Sequence, residues 1–180
     1  MDKQTEDWVR KLELDSSQKT SKLSANFVDQ DLIFQSLKTY YETDPGSFCN
    51  MVSNGPPPAF RWISWRIIIL SKSKKTESFE ELAKKGTEDT KMKDSILKDI
   101  HRTFPNVGFF SNPEHTAHQA LAEQLFAFGA YKPEVGYVQG INFIIAALML
   151  ISGKWDEEVF RVVQNLADEN LDFFKFEAIF

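Results

Sequence analysis

The chain has 180 residues, a formal charge of -5 and 42% hydrophobic against 26% charged residues, enough for a buried core without disulfide staples. An acidic balance of this kind gives no global attraction toward nucleic acid, which is not expected as a partner. The single cysteine, Cys49, rules out an internal bridge, and the charged start MDKQTEDWVRK lacks the apolar run of a secretion signal, so a cytoplasmic location is expected.

In chain order, residues 1–25 are polar, with weak periodicity, and read as a mobile arm or a frayed first helix. From Asn26, Ile33, Leu37, Tyr40 and Tyr41 recur at three- and four-residue steps and predict an amphipathic helix. DPG at 44–46 predicts a turn, and NGPPP at 54–58 a rigid break. Helical spacing then predicts helices over 59–71, 78–85, 92–103, 113–131, 138–152 and 156–171. Asn112 before Pro113 is expected to cap the fourth of these, with His118, Leu121, Leu125 and Phe128 along one face. FIIAALMLI, 143–151, is apolar on all sides but far shorter than the roughly 20 residues of a membrane span, so it predicts a buried core helix and no transmembrane segment. Alternating strand patterns are nearly absent and the fold class is all-α. The last ten residues, LDFFKFEAIF, are strongly apolar and read as part of a fragment, packed against something beyond it.

Three clusters bear on chemistry. In FRWISWR, Arg61 and Trp65 stand four apart, where a guanidinium can lie over an indole or meet an acid. In ILKDIHRTFP, Asp99 and Arg102 share a helix face with the acid N-terminal to the base. That pair reads either as a surface ion pair worth a few tenths of a kcal/mol or as a guanidinium oriented for use. In GYVQGIN, two glycines bracket Tyr137 and Gln139 ahead of the apolar helix, and Gln139 either caps that helix or is presented to a partner. His115 and His118 are spaced for one helical face but have no third ligand at metal-binding spacing, so no metal is expected. The lysines at 72, 74, 75, 84, 85, 91 and 93 read as a solvated region, with contact to an acidic protein surface or anionic lipid as the alternative. No glycine-rich phosphate loop is present.

Together the clusters resemble the TBC domain of Rab GTPase-activating proteins. The family's opening glycine and proline, then arginine and a tryptophan four later, match Gly55, Pro57, Arg61 and Trp65. Its Ile-x-x-Asp-x-x-Arg-Thr-Phe-Pro matches Ile96, Asp99, Arg102, Thr103, Phe104 and Pro105. Its Tyr-x-Gln-Gly-Met-Asn matches Tyr137, Gln139, Gly140 and Asn142, with Ile141 in place of methionine; Pro56 stands where isoleucine is usual. The resemblance covers about Gly55 onward. It implies a TBC domain over 26–180, as an N-terminal helical subdomain lacking most of the second half. It implies that Arg102 and Gln139 act in trans on a Rab in its GTP state, with Asp99, Tyr137, Asn142, Arg61 and Trp65 in support. The Mg-GTP would be carried by the partner, with no cofactor of the chain's own, and any association with endomembranes would be peripheral and through that partner. The alternative expectation is a noncatalytic Rab-binding or scaffold module.

Overall fold

A computed structural model describes residues 3, 5–8, 10, 30–71 and 77–170. Among them every regular element is helical: α1 Gln30–Thr43, α2 Pro45–Ser53, α3 Pro58–Leu70, α4 Phe79–Gly86, α5 Thr90–Ile100, a 3-10 turn Gly108–Ser111, α6 Ala117–Tyr131, α7 Ile141–Ser152 and α8 Glu157–Glu169. The all-α expectation holds. The chain divides into two compact units, 1–71 and 72–180.

In the first unit α1, α2 and α3 surround Ile33, Leu37, Phe48, Met51, Val52, Phe60, Ile63 and Ile67, with Tyr40, Tyr41 and Trp65 packed on the outside. Tyr40 and Tyr41 meet Phe48 edge-on at 5.7 and 5.4 Å, favourable geometry for ring quadrupoles. Trp8, from the stretch read as an arm or frayed helix, is buried and stacks on Phe60 at 5.5 Å. The turn predicted at Asp44–Gly46 is instead the start of α2. The Asp44 carboxylate accepts the Ser47 N–H and Pro45 occupies the first turn, where its missing N–H costs nothing.

The second unit is built on α6, against which α4, α5, α7 and α8 pack. Its expected face is confirmed: Leu121, Leu125 and Phe128 are buried, as is His118. A Cβ on Gly86 would fall 2.1 Å from the Phe126 carbonyl oxygen, so α4 and α6 cross at a distance only glycine allows.

Three expectations are corrected here. The helix predicted from Pro113 begins at Ala117, because Asn112 closes a local turn on the Glu114 N–H and its carbonyl oxygen accepts from His118 Nε2. His115 is therefore off the helix, wedged between Phe109 and Trp155, and does not share a helical face with His118. In α7, Ile141, Ile145, Ala146 and Met149 are buried, but Phe143 and Ile151 on its other side are exposed, so this helix is covered on one face, not all round. The end read as a fragment, 171–180, and Lys72, Lys74 and Lys75 lie outside the described residues. No helix among the described residues is long and apolar enough to cross a membrane.

Candidate functional site

The site grows from the C-terminal end of α5. Asp89 caps that helix through the Met92 N–H, Ile96 and Ile100 anchor its inner face, and the face next to them carries Asp99. Helical spacing then brings Arg102, just past the last turn, back over Asp99. An Arg102 guanidinium nitrogen lies 2.5 Å from Asp99 Oδ1, with side-chain exposures of 56% for the arginine and 7% for the aspartate. The acid is a buried pivot and the base projects into solvent, a geometry in which a short charge-assisted bond can hold an exposed guanidinium without enclosing it.

The other carboxylate oxygen belongs to the next cluster. The Tyr137 hydroxyl donates to Asp99 Oδ2 at 2.6 Å. Burial pushes the Tyr137 hydroxyl pKa well above its usual value, and the hydrogen bond to Asp99 and that carboxylate's charge push the same way, against a smaller opposing effect from Arg102. The phenol therefore stays protonated and donating throughout the neutral range. Tyr137 in turn carries the turn that presents Gln139, two residues before α7 begins. Gly140 closes it at φ 112°, a backbone region that a side chain resists.

Below this, the Thr103 hydroxyl donates to the Asp99 carbonyl oxygen at 2.7 Å and accepts from Asn142 Nδ2 at 2.7 Å, while Asn142 Oδ1 accepts the Gly140 N–H at 3.0 Å. Thr103 and Asn142 are fully buried. Immediately after Thr103 the chain reverses through Phe104 at φ 48°, a strained conformation for a side-chain-bearing residue, and its ring meets Phe143 at 5.2 Å.

Arg102 and Gln139, both exposed, line one shallow pocket of about 350 Å³ with Asp99, Tyr137, Ser95 and Lys98. The structure thus brings together five of the seven residues singled out from the sequence. Arg61 and Trp65 belong to the first unit. There Arg61 donates to the Pro56 carbonyl oxygen at 3.4 Å, and the guanidinium seated over a ring at 4.3 Å is that of Arg66 on Phe34. Sequence reasoning passed over Lys98 and gave Thr103 no role. Lys98 could have been found from its place four residues before Arg102. A larger groove of about 740 Å³, between α4, α5 and α6, shares none of these residues and mixes apolar side chains such as Phe79, Leu97 and Phe126 with charged ones such as Glu80, Lys84 and Lys93. Among the described residues no group of histidine, cysteine and carboxylate side chains could hold a metal ion.

A sequence model of the Rab-GTPase-TBC domain matches residues 58–178. The chain belongs to the Rab-GTPase-TBC domain family. This TBC chain is similar to growth hormone-regulated TBC protein 1-A of Danio rerio, at 42% identity over 79 residues, 43% of this chain and 22% of that protein. It is 30% identical to growth hormone-regulated TBC protein 1 of Xenopus tropicalis over 124 residues, 67% of this chain and 36% of that one. It is also 30% identical to Rab GTPase-activating protein eat-17 of Caenorhabditis elegans over 125 residues, 69% of this chain and 13% of that one. The TBC chain therefore spans only a minor part of the length of these relatives. No solved structure gives a significant match.

Proposed function

We propose that this TBC chain stimulates GTP hydrolysis by a Rab-family GTPase in its GTP state, with Arg102 and Gln139 entering the partner's site in trans. Membership of the TBC family supports the reading, as does the name of the nematode relative, a Rab GTPase-activating protein. The observation that carries it is the pairing of an exposed guanidinium with an exposed carboxamide in one pocket, above a buried carboxylate that orients the first.

The chemistry asks for that pair. Phosphoryl transfer builds charge on the phosphate oxygens while the attacking water must be held in line. A planar, permanently charged guanidinium reaches two oxygens at once, which an ammonium does less well. A carboxamide accepts from water through its carbonyl and donates to phosphate through its amide. In this reading Arg102 neutralises developing charge and Gln139 replaces the GTPase's own glutamine. Asp99 and Tyr137 aim the arginine, and Asn142 fixes the glutamine turn. Arg61 and Trp65 contribute through the packing of their own unit. The Mg-GTP arrives with the partner, and work in the cytoplasm, peripheral to endomembranes through that partner, follows from the same assignment.

The test is phosphate release from a panel of GTP-loaded Rabs with wild type, Arg102→Ala and Gln139→Ala. Stimulation of at least one Rab that both substitutions lower sharply supports the assignment. Equal behaviour of all three proteins on every Rab favours the noncatalytic binding or scaffold module.

A further inference from the structure

We propose that Thr103 is a positioning residue that ties the two projecting side chains to one another. The inference rests on the functional reading above and adds to it a fixed spacing between the arginine and the glutamine.

Asp99 and Gln139 are 40 positions apart in sequence, on separate elements. Three hydrogen bonds join them. Thr103 O–H donates to the Asp99 carbonyl at 2.7 Å, Asn142 Nδ2–H donates to Thr103 Oγ1 at 2.7 Å, and the Gly140 N–H donates to Asn142 Oδ1 at 3.0 Å. The Gly140 N–H belongs to the peptide group whose carbonyl is that of Gln139, so the chain of bonds ends one linkage from the Gln139 Cα. At the other end, Asp99 holds Arg102 with its side chain.

The direction of each bond is forced. Because the threonine hydrogen goes to a carbonyl, its oxygen can only accept from Asn142, which must turn its NH₂ toward Thr103 and its oxygen toward Gly140. Both central side chains are fully buried, so water does not compete for these groups. Serine preserves both roles of the hydroxyl. Valine copies the threonine shape and removes both.

The loss in Thr103→Val falls on the glutamine side. The Asp99 carbonyl still accepts the Arg102 N–H at 3.2 Å, whereas the buried Asn142 NH₂ loses the partner that Thr103 supplies. Asn142 then relaxes, Gly140 loses its anchor, and Gln139 shifts relative to Arg102. A displacement of about 1 Å in such a group costs on the order of 100-fold in rate.

The experiment combines Thr103→Val and Thr103→Ser with intact Gln139 and with Gln139→Ala, read as single-turnover phosphate release from a GTP-loaded Rab over a range of TBC-chain concentrations. With Gln139 present, Thr103→Val should lower the maximal rate about 10- to 100-fold at unchanged half-saturation, and Thr103→Ser should restore it. In the Gln139→Ala background Thr103→Val should cost nothing further, because residues acting through one another are not additive. Equal losses in both backgrounds, or a loss confined to half-saturation, overturn the proposal. Amide hydrogen exchange gives a readout independent of activity: Thr103→Val should speed exchange at Gly140 and leave the α6 amides as in wild type. Unchanged protection of Gly140 overturns the linkage. If Arg102→Ala and Gln139→Ala both retain wild-type rates, the functional reading fails separately, and the exchange result still decides whether Thr103 holds the turn.

Discussion

Arg102 shows how much a local pattern can settle. Its pairing with Asp99 follows from a three-residue spacing, because helix geometry alone brings such positions together. What spacing could not tell is which partner would be buried: the 7% exposure of Asp99 against 56% for Arg102 depends on Ile96, Ile100 and the distant Tyr137. The expected consequence is that Arg102→Lys, which keeps the charge and loses the planar fork, removes most of the stimulated rate, a loss of about 10³-fold or more, while Rab binding and the melting temperature stay close to wild type. Tyr137→Phe has a different signature. It deletes one of the two side-chain partners of a buried carboxylate and should lower unfolding stability by about 1.5–3 kcal/mol, read as a shift in urea midpoint at constant slope. Arg61 marks the limit of spacing arguments, since its four-residue offset to Trp65 allowed a stacked pair and the guanidinium turned instead to the Pro56 carbonyl.

At the level of elements, periodicity located the helices that flank the site, and end signals set their limits less well. Asp44 and Pro45 carry a helix-start signature that also reads as a turn, because the first turn of a helix and an isolated turn share both residues. Removing that cap by Asp44→Ala should lower the thermal midpoint and leave the arginine–glutamine pocket unaffected. The crossing of α4 on α6 was not legible, because nothing in FEELAKKG says which helix Gly86 will touch. Gly86→Ala forces a methyl onto the Phe126 backbone and should destabilise by about 1–3 kcal/mol; a neutral effect in chemical denaturation would show that these helices can separate freely. For α7, an unbroken apolar run says that no polar face exists but cannot say how many faces are covered, and only one is.

On the scale of the whole molecule, the all-α class was written in the helical periods of successive segments. The division into two units depends on which apolar faces meet across long stretches of chain, a property no local pattern contains. Stability against alkali is also set by distant contacts. Burial, then the hydrogen bond to Asp168 and its charge, lifts Tyr131 from its ordinary value of 10.0 to about 12, and Tyr137 moves the same way under burial and Asp99. An unfolded chain would release these protons first, so the stabilisation is complete below about pH 10 and declines as pH climbs toward 12. Urea midpoints between pH 9 and 12 should fall for wild type and fall less steeply for Tyr131→Phe. The central claim concerns the molecule joined to its partner, and a crippled partner tests it most directly. Single-turnover phosphate release is measured from a Rab whose own water-positioning glutamine has been replaced by alanine. If Gln139 takes that role, the wild-type TBC chain still accelerates hydrolysis and the Gln139→Ala chain does not; equal rates with the two chains would contradict the account.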